Sequence, residues 1–124
     1  MATAMIVDDT RIMRMNIRRI LEKLGHQVVA EAQNADEAVM LYETLKPDFV
    51  TMDIQMPSIN NSGDGISAVQ AIRKIDSNAK VVMITSYGEQ AKIIRAIQSG
   101  AANYVLKPVD ETKMMTVIKK LELH

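Results

Sequence analysis

Five short apolar runs alternate with five segments of helical periodicity along the chain, and this alternation constrains the fold more than any other feature. The runs are rich in Val, Ile and Met, which is typical of buried strands in a parallel sheet. We predict strands at residues 4–7, 27–32, 49–52, 80–85 and 104–106. A strand–helix unit repeated five times predicts an α/β fold, in which helices cover both faces of a five-stranded parallel sheet.

The helix that follows each strand is marked by a capping residue or by apolar residues at helical spacing. Thr10, Asn34 and Asp110 are the expected N-caps of the first, second and last helices, and Gly25 fits the left-handed stop of the first. The residues expected to face the core in the second and last helices are Ala38, Leu41, Tyr42, Leu45, Met114, Met115, Ile118 and Leu121.

Length and charge restrict the classes of protein to which the chain can belong. Its 124 residues are enough for one domain spanning residues 1–124. Lys and Arg balance Asp and Glu at 15 each, so we expect binding to neither nucleic acid nor an anionic membrane. The chain has no cysteine, which excludes disulfides, thiol catalysis and cysteine-ligated zinc. The sequence shows no signal-peptide pattern and no membrane-spanning run, and we expect a cytoplasmic protein.

Polar residues follow four of the five predicted strands. Asp8 and Asp9 follow the first strand, Asp53 the third and Lys107 the fifth, while Thr85 ends the fourth. The carboxyl ends of parallel strands share one edge of the sheet, so these side chains converge if the four strands are neighbours. Each residue alone also fits a turn, a helix cap or the solvated surface. Residues 31–33 end the second strand and have no predicted role in the site.

Three neighbouring carboxylates repel one another, and a bound divalent cation would relieve that repulsion. Mg²⁺ prefers oxygen ligands and suits sites with few carboxylates and a phosphate. Three Asp charges, one Mg²⁺ and one Lys sum to zero, and phosphorylation of one Asp adds only about one negative charge. The cluster therefore predicts a magnesium site in which Asp53 is the nucleophile for in-line phosphoryl transfer and Lys107 contacts a phosphoryl oxygen.

Four sequence blocks carry a family resemblance. They are residues 6–9 (IVDD), 52–57 (MDIQMP), 84–86 (ITS) and 104–108 (YVLKP). In their order and spacing they resemble the signature blocks of the response-regulator receiver domain, and within it the CheY-like single-domain chemotaxis regulators. The resemblance covers essentially the whole chain. It implies a flavodoxin-like doubly wound (βα)5 fold with strand order 2-1-3-4-5, and a cis peptide bond before Pro108.

The resemblance also implies which residue accepts the phosphoryl group and which residues bind Mg²⁺. Asp53 would be the phosphoacceptor, and Asp9 and Asp53 would bind Mg²⁺ directly. The backbone carbonyl of Gln55 would be a further ligand, and Asp8 would act through water.

The remaining site residues would act on the phosphoryl group and its consequences. Thr85 would donate its hydroxyl to the phosphoryl group and Lys107 its ammonium. Tyr104 would be an aromatic switch that turns inward when Thr85 moves. Gln55 and Tyr87 hold positions that tune the lifetime of the acyl phosphate in the family, and we predict that the bulk of Tyr87 hinders attacking water.

The partners implied by the resemblance are those of a phosphorylation-driven binding switch. A CheA-like histidine kinase would supply the phosphate, and a flagellar motor switch protein or another output protein would bind the monomeric chain. A phosphatase is a further possible partner, and we expect no turnover of a separate substrate. The expected output face on helix four, strand five and helix five comprises Lys92, Arg95, Ala96, Tyr104 and Lys113.

The loop after strand three departs from the family pattern. The family usually has Asp-Gly about three residues after the proline, whereas Asp64 and Gly65 lie seven and eight residues after Pro57 here. This indicates an insertion of about four residues within the predicted loop 58–65, which a surface loop tolerates at small entropic cost. The insertion is either a neutral spacer or a segment that controls access to Asp53 or contacts a phosphatase.

Three other functions compete with the switch. A phosphorelay intermediate would pass its phosphate on to a histidine phosphotransfer protein. An aspartyl-phosphate phosphatase of the haloacid-dehalogenase type needs an acid two residues after the nucleophile, where this chain has Gln55. A flavodoxin-type FMN carrier needs a first loop that cradles phosphate, and Asp8 and Asp9 would repel it.

Overall fold

The computed structural model describes residues 2–56 and 64–123, in which five strands alternate with five helices. The elements are β1 Thr3–Val7, α1 Arg11–Lys23, β2 Gln27–Ala32, α2 Ala35–Leu45, β3 Phe49–Asp53, α3 Gly65–Ile75, β4 Val81–Thr85, α4 Gln90–Gln98, β5 Asn103–Leu106 and α5 Glu111–Lys120. Within the described ranges, no helix is long and apolar enough to cross a bilayer.

The sheet has the order β2-β1-β3-β4-β5, and its four strand pairs are all parallel. The predicted flavodoxin-like fold class and strand order are therefore confirmed. β3 lies between β1 and β4, and Met52 pairs with Val7 on one side and Met83 on the other. This register brings the polar ends of β1, β3 and β4 to the same edge of the sheet.

Apolar layers bury both faces of the sheet. One layer contains Met52 and Val50 together with residues of α2, α3 and α4. The other contains Phe49 and Ile84 together with residues of α1 and α5. Phe49 and Val50 enter opposite layers because successive side chains of a strand point to opposite faces. All five residues of β3 and of β4 are buried, so Asp53 and Thr85 end their strands inside the protein.

Two residues predicted to be buried are exposed. Leu45 is 44% exposed because the buried residues of α2 end at Tyr42, and Leu45 is the last residue of the helix. Met115 is 41% exposed because it lies about 100° around α5 from the buried Met114.

The helix caps are partly as predicted. Asn34 and Asp110 accept hydrogen bonds from backbone N–H groups three residues on, as capping side chains do. Thr10 occupies the N-cap position of α1, but its side chain does not cap the helix. Its hydroxyl instead donates to the carboxylate of Asp8, which makes it part of the site described below.

Candidate functional site

Three carboxylates meet at the carboxyl edge of the sheet. Asp8 and Asp9 follow β1, and Asp53 ends the neighbouring strand β3. One oxygen from each side chain lies within 4.8 Å of the others. Asp8 and Asp53 are only 1% and 5% exposed, whereas Asp9 is exposed to solvent. The structure thus brings together the acidic cluster that the sequence predicts.

The carboxylate of Asp8 is only half satisfied by protein groups. Its Oδ1 accepts from the backbone N–H of Thr10 at 2.8 Å and from the Thr10 hydroxyl at 3.0 Å. Its Oδ2 is buried and has no hydrogen-bond partner among the described residues. A buried carboxylate oxygen without a partner is unfavourable, and it lies beside two further carboxylates. This arrangement fits a hard cation with oxygen ligands, such as Mg²⁺.

Asp53 is held in a balance of opposing charges. Burial, together with the negative charge of Asp8, raises the pKa of Asp53 from its ordinary value of 3.8 to about 6. The Lys107 ammonium, 3.6 Å from Oδ1, and the backbone N–H of Gln55, 3.3 Å from the same oxygen, act in the opposite direction. The single ammonium of Lys107 therefore does not balance the three carboxylates, and the cluster keeps an excess of negative charge.

The hydroxyl of Thr85 already has a partner. Thr85 is fully buried at the end of β4, and its Oγ1 donates to Oε1 of Glu89 at 3.0 Å. The same Glu89 oxygen accepts from the backbone N–H of Ser86 at 2.9 Å. No sequence motif marks Glu89 as a site residue. The one available signal is its spacing, four residues after Thr85 at the start of a predicted helix.

Glu31, which had no predicted role, is linked to the loop of Asp8 and Asp9 through an arginine. Its carboxylate accepts from Nε of Arg14 at 3.1 Å and from Nε of Arg18 at 2.7 Å. Burial acts to raise the pKa of Glu31, but the two guanidinium groups hold it below its usual range. Arg14 also donates to the backbone carbonyl of Asp8 at 2.8 Å. Arg14 therefore connects the end of β2 to the loop that carries the acid pair.

The other predicted site residues lie on β5 or in the turns that follow β4 and β5. Tyr104 is 40% exposed on β5, and Tyr87 is 78% exposed in the turn before α4. Lys107 follows β5, its backbone N–H donates to the carbonyl of Thr85, and its bond to Pro108 is cis, as the resemblance implied. The inserted segment after Pro57 lies outside the described residues.

Gly65 explains why the helix after that segment begins with Asp-Gly. A Cβ on Gly65 would overlap the backbone carbonyl oxygen of Asp53, so only glycine lets α3 approach the end of β3 this closely. Asp64 and Ser67 form a capping box that starts the helix at this point.

The expected output face needs one correction. Ala96 is fully buried, because it lies on the side of α4 that packs on the apolar layer below the sheet. It therefore cannot contribute to a binding surface. The Lys113 ammonium donates to the carbonyls of Leu106 and Pro108 at 3.2 and 2.9 Å, so it is tied to the segment that carries Lys107.

The fold and the site define a class of protein. The family model of the response regulator receiver domain matches residues 4–119. The chain therefore belongs to the receiver domains of two-component response regulators, a family in which a bound Mg²⁺ and phosphorylation are typical.

Curated relatives and solved structures agree with this assignment. The chain is 44% identical to the chemotaxis protein CheY of Thermotoga maritima over 117 residues, which are 94% of each chain. It is 44% identical to CheY of Bacillus subtilis over 116 residues, covering 94% of this chain and 93% of that one. It also resembles a chain in the crystal structure of the CheX–CheY–BeF3–Mg complex from Borrelia burgdorferi, with a TM-score of 0.88 and 28% identity over 98% of this chain and 90% of that one.

Proposed function

We propose that this receiver is activated when a histidine kinase phosphorylates Asp53. The proposal rests on one observation: Asp53 is buried, its pKa is raised, and it lies beside Asp8, Asp9 and Lys107 at one edge of the sheet. A carboxylate oxygen of Asp53 attacks the phosphorus of a phosphohistidine in line with the P–N bond. That bond breaks, and the departing imidazole takes up a proton.

Mg²⁺ is the proposed cofactor. Asp9, Asp53 and the backbone carbonyl of Gln55 would hold it, with Asp8 acting through water. When bound, the ion supplies the positive charge that the cluster lacks and orients phosphoryl oxygens. The ammonium of Lys107 neutralises one phosphoryl oxygen, and the hydroxyl of Thr85 donates to another. The Oδ2 of Asp8, which is buried and has no partner among the described residues, is evidence in favour of a cation at this site.

The protein would act on itself rather than turn over a separate substrate. Water attacks the phosphorus of the acyl phosphate, the bond to Asp53 breaks, and inorganic phosphate leaves. Tyr87 and Gln55 would set the rate of this step. Tyr87 is in the turn that follows Thr85, where a bulky side chain can restrict the approach of water.

The proposed output is a change in protein binding at the face formed by α4, β5 and α5. Apolar side chains are exposed there, with Ile94 at 58%, Ile97 at 43% and Tyr104 at 40%. Tyr104 would turn inward on activation and change the shape of this face. The relatives named CheY support a role in chemotaxis. We propose a CheA-like kinase, a flagellar motor switch protein as target and a phosphatase as a further partner, with the chain a cytoplasmic monomer.

A phosphorelay intermediate is the principal alternative, because the same site could return its phosphate to another protein's histidine. Retention of the label on this chain, as opposed to its transfer to a histidine phosphotransfer protein, separates the two. The phosphatase and FMN-carrier alternatives have less support, because the family assignment favours neither and Gln55 stands where the phosphatase needs an acid.

The proposal is tested by mass spectrometry of the intact protein after incubation with a small phosphodonor. The wild type should gain one phosphoryl group in Mg²⁺ and none in EDTA, and Asp53→Asn should gain none. A phosphoryl group on Asp53→Asn would show that the acceptor is a different residue. Loss of phosphorylation in Glu43→Gln, a matched carboxylate-to-amide change at an exposed position on α2, would show that the assay reports general damage.

A further inference from the structure

Glu89 joins three elements that surround the proposed phosphorylation site. Its Oε1 accepts from the hydroxyl of Thr85 and the backbone N–H of Ser86. Its Oε2 lies 3.6 Å from the Lys92 ammonium. With the Gln55 amide oriented so that its nitrogen faces this carboxylate, that nitrogen donates to Oε2 at 2.8 Å and the amide oxygen accepts from Lys92 at 3.2 Å.

This network occupies the one proton that Thr85 can donate. A hydroxyl has a single O–H, so it cannot donate to Glu89 and to a phosphoryl oxygen at the same time. Thr85 is fully buried, and the only other acceptor near its Oγ1 in the described chain is the Ser86 carbonyl at 3.5 Å. The bond to Glu89 is a hydrogen bond to a charged acceptor on a side chain only 13% exposed, which makes it stronger than a neutral one.

We propose that Glu89 is a positioning residue that holds the Thr85 hydroxyl away from Asp53 in the unphosphorylated protein. Gln55 and Lys92 fix the Glu89 carboxylate in place. A phosphoryl oxygen must therefore replace this carboxylate as the acceptor of the Thr85 hydroxyl. Glu89 therefore biases the receiver towards its inactive state and opposes unprompted activation. This inference deepens the proposed function and rests on it.

The turn between β4 and α4 makes the contact possible. Gly88 has a φ of 91°, a left-handed conformation that favours glycine, and it turns the chain back so that the next residue faces Thr85. Glu89 lies at the N-cap position of α4 without capping it, so its carboxylate is not needed to start the helix. Its replacement should leave the fold intact.

Beryllofluoride in the presence of Mg²⁺ is a suitable probe, because it mimics a phosphoryl group on an aspartate without transferring one. We would titrate it into the wild type, Glu89→Ala and Glu89→Gln, and follow the amide resonances of Thr85 and Ser86 by NMR. The half-saturating concentration should fall about tenfold in Glu89→Ala, as expected for loss of a competing hydrogen bond to a charged group. Glu89→Gln keeps an acceptor oxygen and should lie between the two. Glu43→Gln should match the wild type.

A double-mutant cycle separates positioning from simple charge repulsion. If Glu89 acts through the hydroxyl, its replacement has no further effect in a Thr85→Val background. If it acts as a distant negative charge on the probe, the effect persists there, and the inference is wrong.

The remaining outcomes are also decisive. Wild-type affinity in Glu89→Ala, with a normal circular dichroism spectrum, would overturn the inference and leave the proposed function standing. Failure of the wild type itself to bind beryllofluoride with Mg²⁺ would overturn the proposed function and this inference with it. In the absence of probe, the Thr85 resonance of Glu89→Ala should already be displaced towards its saturated position, which a purely structural role would not produce. The Ser86 amide does not serve in this comparison, because it donates to Glu89 itself and shifts whenever that acceptor is removed.

Discussion

Replacing Asp53 by Asn should stabilise the metal-free protein at neutral pH. Asp53 is 5% exposed and ends β3 beside the buried Asp8. Its pKa is raised to about 6, which means that the fold disfavours its ionised form. Asn has nearly the same shape and carries no charge, so it removes this penalty while the backbone and the surrounding apolar layers stay as they are.

The size of the effect follows from the raised pKa. An increase from 3.8 to about 6, at about 1.4 kcal/mol per pH unit, corresponds to roughly 2–3 kcal/mol of stability. The folded state binds the proton more tightly than the unfolded state. The contribution of Asp53 to stability is therefore fully present below pH 3.8 and is lost as the pH rises through about 6.

Urea unfolding followed by far-ultraviolet circular dichroism measures this difference, and it does not depend on tryptophan, which the chain lacks. In EDTA at pH 7.5, Asp53→Asn should be more stable than the wild type by about 2–3 kcal/mol, and the difference should shrink towards zero near pH 4. Mg²⁺ should narrow the gap at pH 7.5, since it stabilises the wild type more.

Glu43→Gln is the matched control, because it changes an exposed carboxylate to an amide on α2, and it should lie within about 0.5 kcal/mol of the wild type. Equal stability of the wild type and Asp53→Asn at pH 7.5 in EDTA would refute the reasoning. So would a difference that grows as the pH falls.

Four further changes test other parts of the structure. Thr51→Val replaces a fully buried hydroxyl, unpartnered among the described residues, by a methyl group and should raise the free energy of unfolding by about 1 kcal/mol. A decrease of similar size in the free energy of unfolding, measured in urea, would contradict this. Gly65→Ala should destabilise by about 1–3 kcal/mol and slow phosphorylation, since its Cβ would displace the Asp53 carbonyl; wild-type behaviour in both assays would contradict the overlap. Arg14→Met removes the support of the acidic loop and should weaken Mg²⁺ binding by up to about tenfold in calorimetry, and unchanged affinity would show that this support is dispensable. Tyr87→Ala should shorten the lifetime of the acyl phosphate, measured as loss of label after removal of the phosphodonor, and an unchanged lifetime would show that Tyr87 does not hinder water.

The strand positions and the acidic residues that follow the strands were predictable because both depend on local patterns, whereas the meeting of those residues in one cluster depends on the strand order. A run such as residues 49–52 is apolar on both faces, which a doubly covered strand requires, and its carboxylate follows directly. The strand order came from the family resemblance, since pairing between distant strands leaves no local mark.

The contacts of individual side chains were less predictable. Met115 has the apolar character of a core residue, and only the rotation of α5 against the sheet shows that Met114 takes the buried position. The role of Glu89 depends on a left-handed Gly88 that turns the chain back towards Thr85, and helical spacing alone does not reveal it. Thr10 was expected to accept a hydrogen bond from a backbone N–H at the start of α1, but its side chain makes no such bond and its hydroxyl donates to the carboxylate of Asp8.

We propose that a divalent cation relieves the repulsion within the acidic cluster, so that Asp53 can carry a phosphoryl group. The rate of phosphorylation by a small phosphodonor, measured across a range of Mg²⁺ concentrations, tests this most directly. We predict a rate that is negligible in EDTA and saturates with the same midpoint as Mg²⁺ binding measured by calorimetry. A rate independent of Mg²⁺ would contradict the account.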